Sequence, residues 1–450
     1  MEPLTNRQIS ALVALIKETA DTIDSHFTDS SLLSLNSLDS HALDAAISIP
    51  PLNDAVHILE GACAQLCATL ARPSHTVLNR ATQFFEPICL HVVITFKIPD
   101  ILQERPLGMH IKEIGEKADV DHQKLGQIMR LLATKHIFRE VATDRFANNR
   151  LSIQLVSTNP LAGHLSLYNE IIKAAMMTVE VLRNSNQKKI EQSPWNRMTG
   201  FERSMFEYFE EETLENERLG ALFALGVRGW NDAVQAAAVL SVFPWGQYPP
   251  GTIVNDVGGG IGTMAMELIK AFPNLLLKLQ DRPKRIHQAE TEVWPELLPS
   301  AIAEKRIEFK AIDFFVDSPI AGCDVYYLKN ILLLWSDEKC IQILRNIRTV
   351  LKPNACILVH DYVLQHTNRD YTGIPQTDSA LTLKEAPEPL LPNYGAGHAN
   401  QYYLDIATMV LLNGRERTME ELVDIAGKAD LRFAKLWHTG EMAVLGFHPA

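Results

Sequence analysis

The stretch Val254–Lys270, VNDVGGGIGTMAMELIK, decides the fold. A β-branched run ends at Asp256 and Val257, a glycine-rich turn spans Gly258 to Gly262, and a helical pattern follows. Glycine lets backbone approach a ligand closely, and the N-terminus of the following helix offers free N–H groups. A tight strand-to-helix turn also needs glycine for steric reasons alone, so the turn by itself fits either reading. The next run, LLLKLQD, ends in Asp281, about 20 residues beyond the glycines, where an acid takes two ribose hydroxyls. A third run, RIEFKAIDFF, sets Asp313 and Phe314 at a strand end, suited to an adenine amino group and an adenine face. Three successive strand ends therefore carry one nucleoside-shaped set of contacts.

Outward from this stretch, short β-branched or leucine-rich runs alternate with helical segments: TIVNDV, LLLKLQD, RIEFKAID, DVYYLKNILLL and ACILVHDYVL. That alternation predicts βαβ units, a parallel sheet with helices on both faces, over residues 246–450. Residues 151–245 read as connecting helices rich in Met, Phe and Trp. Residues 1–150 read as helix, helix-turn-helix and a short hairpin, a winged-helix arrangement. Within them the stretch SHFTDSSLLSLNSLDSHALDAA breaks the helical periodicity and reads as a loop or a short helix pair.

Composition narrows the function. A hydrophobic fraction of 46% with 21% charged residues is that of a soluble globular chain of 450 residues. The formal net charge of −12 opposes a polyanion surface, so no nucleic-acid partner is expected despite the winged helix. The apolar first helix of that region reads instead as a surface buried against another subunit. The cysteines show no paired CxxC spacing, so neither a disulfide framework nor a metal site is indicated, and a reducing cytosol fits. No apolar run reaches the roughly 18 residues that span a bilayer, and no leader pattern opens the chain, so no membrane partner is expected.

DVGGGIG, LQDRP, RIEFKAIDFF, YYLKNILLLWSDEKCIQILRNIRTVLKP and LLNGRERTMEELVDIAG together resemble the fungal and plant class of S-adenosylmethionine-dependent small-molecule O-methyltransferases, over roughly residues 75–450. The resemblance implies a Rossmann-like S-adenosylmethionine-binding domain, a helical and winged N-terminal domain forming an intertwined homodimer, and a small-molecule pocket between them. By the same matching, Asp256, Gly258, Gly260, Asp281, Arg282, Asp313, Phe314 and Lys329 would hold the cofactor. A lysine at a strand end is equally at home as a solvated charge.

One position breaks the pattern. The segment matching 331–338 reads ILHDWSDE in those methyltransferases, and its histidine removes the substrate's hydroxyl proton. Here Leu333 stands at that position and Leu334 at the following aspartate position. Histidine suits proton removal at neutral pH and leucine cannot perform it, which forfeits about 10²–10⁴-fold in rate if methyl transfer is the task. The two acids that accompany the histidine are matched by Asp361 and Glu416, although Glu416 also reads as an acid at a helix start. Three explanations compete: a methyltransferase using another base such as His164 or His398, a non-catalytic cofactor-binding dimer, or an enzyme whose reaction needs no strong base. The last resembles the fungal O-methyltransferase-fold pericyclases of 2-pyridone alkaloid pathways, which keep the cofactor site and replace the histidine. That likeness implies dehydration of an alcohol to a quinone methide, then hetero-Diels–Alder or Alder-ene closure, and it is the expectation adopted from sequence. Pocket candidates are His164, Arg228, Trp230, Met409 and His398; each also reads as core packing, a domain-joining ion pair or a plain loop residue.

Overall fold

The computed structural model describes residues 4–27, 34–39, 41, 43–44, 49–183, 192–209, 211, 213–234, 238–369 and 383–450. Residues 28–33, 40, 42, 45 and 46 of the serine- and leucine-rich stretch 25–46 lie outside them. The chain divides into two compact units: residues 1–176 with 206–235, and residues 177–205 with 236–450. The expected connecting segment 151–245 is thus shared between the two units. The physical reason lies in its helices, which pair with different partners.

In the first unit, Leu4–His26 and Pro50–Leu70 pack through Ile23, Leu52 and Ala55. The winged helix is formed as expected. Ile111–Ala118 turns into His122–Thr134, whose first turn is capped by the Asp121 carboxylate accepting the N–H groups of Gln123 and Lys124. The corner is tight because Gly115 lacks a side chain: a β-carbon there would stand 2.8 Å from the Val120 carbonyl oxygen. The wing is antiparallel, β1 (Met109–His110), β2 (Arg139–Ala142) and β3 (Arg145–Ala147), in the order β1-β3-β2. Further on, Pro160–Ala175 lies along Leu214–Ala233. Gly163 and Gly229 allow that approach, since a β-carbon on them would fall 2.4 Å from Leu225 and 2.3 Å from the Pro160 oxygen.

The second unit is built on a seven-stranded sheet. Its strands are β4 (Ile253–Val257), β5 (Leu276–Asp281), β6 (Ile307–Ala311), β7 (Val325–Lys329), β8 (Cys356–Asp361), β11 (Leu431–His438) and β12 (Ala443–Pro449); β9 (Val363–Leu364) and β10 (Arg417–Thr418) form a separate parallel pair. The order is β6-β5-β4-β7-β8-β12-β11, and β12 alone runs against its neighbours. Alternate residues bury opposite faces: Tyr326 and Leu328 join one core with Ile343, Ile347 and Leu422, while Val325 and Tyr327 join another with Trp245, Leu268 and Trp294. Burial on both sides is what produces the near-continuous apolar runs in the sequence. The chain reverses its order at β4, between β5 and β7, and such a switch point opens a crevice at the carboxyl ends of the strands. Pro194–Thr199, capped by Ser193, packs on Asn400–Leu412, and the Ser193 hydroxyl donates to the Leu411 carbonyl at 3.0 Å. That contact puts 177–205 in this unit.

Candidate active site

The carboxyl ends of β4, β5 and β7 bring most of the sequence candidates together. Gly258, Gly260 and Gly262 all take positive φ (76°, 63° and 85°), which only glycine adopts without strain. The Gly258 N–H donates to the Gln280 carbonyl at 2.7 Å, and the Gly260 N–H donates to Asp281 Oδ2 at 2.8 Å. Asp281 Oδ1 accepts the Arg282 N–H at 2.7 Å. Each glycine answers to a different constraint. A β-carbon on Gly259 would lie 2.4 Å from Asp256 Oδ2, one on Gly262 would meet Leu279 and Trp294, and one on Gly260 would meet nothing within 4 Å. Gly260 is therefore free of the protein's own packing and open to a ligand. The sequence marked Gly259 only as part of the turn; its own constraint comes from Asp256, which folds back beneath it.

Asp256 is buried, and its Oδ2 has no hydrogen-bond partner. Burial and the neighbouring Asp281 push its carboxyl up to about 7, against the pull of Lys329. Burial also raises Asp281. Lys329, at the end of β7, is held down to about 8 by burial, although Asp361 and Asp256 both favour its charge. Asp313 and Phe314 stand just beyond β6 rather than on it. The Asp313 carboxylate accepts the Phe315 N–H at 3.0 Å, and Phe314 packs against Gly258 and edge-on to Trp335.

After β7 the chain does not continue as a strand. Asn330 takes φ 55°, and residues Leu332–Leu334 form a single 3-10 turn with Leu332 and Leu333 buried. Capping needs explain the turn. Asn330 donates its N–H to Asp361 Oδ1 at 2.8 Å, and the buried Arg417 guanidinium donates to the Leu332 and Trp335 carbonyls at 2.6 Å each and to Asp337 Oδ1 at 2.9 Å. The Arg415 N–H donates to the Leu333 carbonyl at 2.9 Å. Gly414 lies against that same carbonyl, where a β-carbon would stand 2.3 Å away. Nothing in the sequence marked Arg417 or Gly414, because a clamp and a surface arginine look alike until the chain is folded.

Asp361 and Glu416 flank this turn and are both buried. Glu416 does not start a helix: the capping residue there is Thr418, and Met419 begins the helix. Its N–H donates to Asp405 Oδ1 at 2.7 Å, while its own Oε1 has no partner. Burial, with Asp361 and Asp405 close by, pushes the Glu416 carboxyl well above the usual range; burial likewise pushes Asp361 up to about 7. Beside Asp361, His360 points to the other face. Its Nδ1 shares a hydrogen bond with the Tyr327 hydroxyl at 2.5 Å, and its Nε2 shares one with the Thr439 hydroxyl at 3.2 Å. Burial and Lys329 keep that imidazole neutral.

The remaining candidates are dispersed. His164 belongs to the first unit, where its Nδ1–H donates to the Gly226 carbonyl at 2.9 Å, its Nε2 has no partner, and burial lowers its basicity. The Trp230 ring lies 5.1 Å from that imidazole, tilted by 44° to it. Arg228 falls on the same helix as Trp230, and its side chain lies outside the described residues. In the second unit, Met409 sits half-buried on Asn400–Leu412, and His398 closes a short turn with its ring 3.2 Å from Gln401.

Residues 179–384 match the model of the O-methyltransferase domain, and residues 78–158 that of the O-methyltransferase dimerisation domain. The chain is 37% identical to 3-O-methyltransferase 2 of Phanerochaete chrysosporium over 98% of its own length and 97% of that protein. Among solved structures, human N-acetylserotonin methyltransferase in complex with SAM superposes with a TM-score of 0.65 at 19% identity, covering 85% of this chain and 99% of that one. A LepI variant in complex with SAH and substrate analogue gives 0.67 at 16% identity, over 99% and 100%. The chain belongs to the O-methyltransferase family, with the helical dimerisation region followed by the α/β methyltransferase domain. Its cofactor is S-adenosylmethionine. The residues fit it: an open glycine turn, an unpartnered buried Asp256 oxygen for a cationic group, and acids beyond β5 and β6 for a nucleoside.

Proposed function

We propose that this enzyme transfers a methyl group from S-adenosylmethionine to an oxygen of a small aromatic or polyketide molecule, as a cytosolic homodimer in fungal secondary metabolism. The observation that carries this reading is the intact set at the strand ends: the unpartnered Asp256 oxygen beneath the turn, open Gly260, Asp281, Asp313, Phe314 and Lys329. Likeness along the full length of a named O-methyltransferase supports it over a reaction that has abandoned the methyl group. When bound, S-adenosylmethionine supplies a methyl group on a cationic sulfur. In this reading the chain's own residues seat it, with Gly258 and Gly260 leaving room for its close approach, Asp256 and Lys329 facing its amino-acid end, Asp281 and Arg282 at the ribose, and Asp313 and Phe314 at the adenine.

The pericyclase reading is kept as a second one because of Leu333 and Leu334, which leave no titratable side chain where a base would stand. There, S-adenosylmethionine would contribute fixed positive charge, and an apolar pocket would restrict a polyene to a reactive conformer. Incubation with methyl-labelled S-adenosylmethionine and a panel of hydroxylated aromatics separates the two. Label in an ether product is expected. Tight cofactor binding with no transfer to any acceptor would overturn methyl transfer and favour ring closure. Leu333→His adds a second test: a gain of at least about tenfold is expected for methyl transfer, and no gain for a pericyclase.

A further inference from the structure

Within the first unit, the groove between Pro160–Ala175 and Leu214–Ala233 holds a buried acceptor that the fold does not use. We propose that His164 Nε2 accepts a hydrogen bond from the hydroxyl of a phenolic ligand whose aromatic body lies against Tyr168 and Trp230. That this ligand is the methyl acceptor rests on the methyl-transfer reading. That the niche takes a hydroxyl donor stands on the geometry.

A carbonyl oxygen can only accept, so the 2.9 Å contact between His164 Nδ1 and the Gly226 carbonyl puts the ring proton on Nδ1. Nε2, on the opposite side of the ring, then carries a bare lone pair. No donor among the described residues reaches it, although His164 is only 9% exposed. Burial also lowers the basicity of the ring, which keeps that lone pair unprotonated at neutral pH. A buried acceptor kept without a partner is unfavourable to folding, and a donor brought by a ligand satisfies it.

The surroundings select an aromatic ligand. The two helices run antiparallel, since Gly229 faces Pro160 while Gly226 faces His164 and Leu167. His164 therefore has Trp230 on the side toward Pro160 and Tyr168 on the side toward Ala175, with ring centroids 5.1 Å and 5.0 Å from its own. Both flanking rings are half-buried, and Leu225, packed over Gly163, is 44% exposed. The groove thus meets solvent on either side of the imidazole. An aliphatic alcohol can donate to Nε2 but forgoes the ring contacts, which favour a flat aromatic body.

A methyl ether has no proton to give and leaves Nε2 unpaired. The niche is expected to prefer a phenol over its own methyl ether by about 5- to 10²-fold. Under the methyl-transfer reading, that is the difference between acceptor and product.

Calorimetric titration of the full chain with phenol, guaiacol and 2-naphthol, each beside its methyl ether, tests the niche without turnover. At least one phenol is expected to bind about fivefold or more tighter than its ether. That preference should vanish in His164→Asn, whose amide can still donate to Gly226. Binding of no phenol, equal affinity within every pair, or a preference that survives in His164→Asn would overturn the proposal. If the variant fails to fold, nitrogen-15 spectra of wild type labelled at histidine decide instead. One unprotonated ring-nitrogen signal should move with the phenol and stay with the ether; signals that ignore the phenol overturn the niche. In turnover, His164→Asn should raise KM for the acceptor about tenfold with KM for S-adenosylmethionine unchanged. A phenol that binds with the expected preference yet receives no methyl group sinks the methyl-transfer reading and leaves the niche. Methyl transfer with the acceptor KM unmoved in His164→Asn sinks the niche and leaves the reading.

Discussion

Asp256 pays for its place beneath the glycine turn in stability, and its titration shows the sign. Its carboxyl is raised from 3.8 to about 7 by burial and Asp281. A carboxyl whose folded value lies above its unfolded one favours folding most at low pH, below the unfolded value, and that contribution is lost as pH rises to about 7. Asp256→Asn, which stays neutral, is therefore expected to leave the stability of the cofactor-free protein unchanged below about pH 4. It should raise it by on the order of 1–3 kcal/mol at pH 8. Urea unfolding at several pH values measures this. A variant that is less stable than wild type at pH 8 would mean that Lys329 needs the Asp256 charge more than the fold suffers from it. The same substitution should weaken S-adenosylmethionine binding, since a buried acceptor kept without a partner is a feature that binding retains against stability.

At the scale of elements, the turn Leu332–Leu334 is shaped from a distance. Arg417 is 1% exposed and commits its donors to two carbonyls of that turn and to Asp337, whereas Arg415 makes half-exposed ion pairs with Glu421 and Asp337. Arg417→Met should cost about 3–5 kcal/mol because it strands buried carbonyls and a carboxylate, while Arg415→Met should cost at most about 1 kcal/mol. Equal losses in denaturant titrations would refute the clamp. In the glycine turn, Gly259→Ala is expected to destabilise the fold itself through the Asp256 contact. Gly260→Ala meets no protein atom and should cost only the roughly 1–2 kcal/mol of its left-handed backbone, yet it should remove cofactor binding. Thermal melts paired with calorimetric titration distinguish these two. The legible part of the site follows the same division. Strand-end acids and glycines could be read because short apolar runs and tight turns are local in sequence. The turn at Leu333 read as the end of a strand because its leucines match β7, and the geometry that bends it comes from Asp361, Gly414 and Arg417, as many as 85 residues away. Glu416 read as a helix-start acid for the same reason: the true cap, Thr418, stands two residues later, and burial by distant elements gave Glu416 its other character.

At the scale of the whole molecule, the first unit displays an apolar stripe that nothing in the chain covers among the described residues. The helix Pro73–Thr82 buries none of its residues, and Val77 is 69% and Leu78 61% exposed. Phe84, Phe85 and Ile88 continue the stripe at helical spacing into Phe85–Thr95, also exposed. The matched dimerisation region begins at residue 78, inside this stripe. Contiguous apolar surface of this kind is costly on a monomer and is what a second copy buries. A helix with no buried residue also has no intramolecular reason to hold its place, so its order and the dimer are expected to depend on one another. Sedimentation of the wild type should accordingly give a homodimer at micromolar concentration. Leu78→Asp combined with Phe85→Asp should give a monomer with a lower melting temperature and faster amide exchange confined to residues 73–95. A wild type that sediments as a monomer with slow exchange across those residues would show that the stripe is stable uncovered, and the homodimer reading would fall with it.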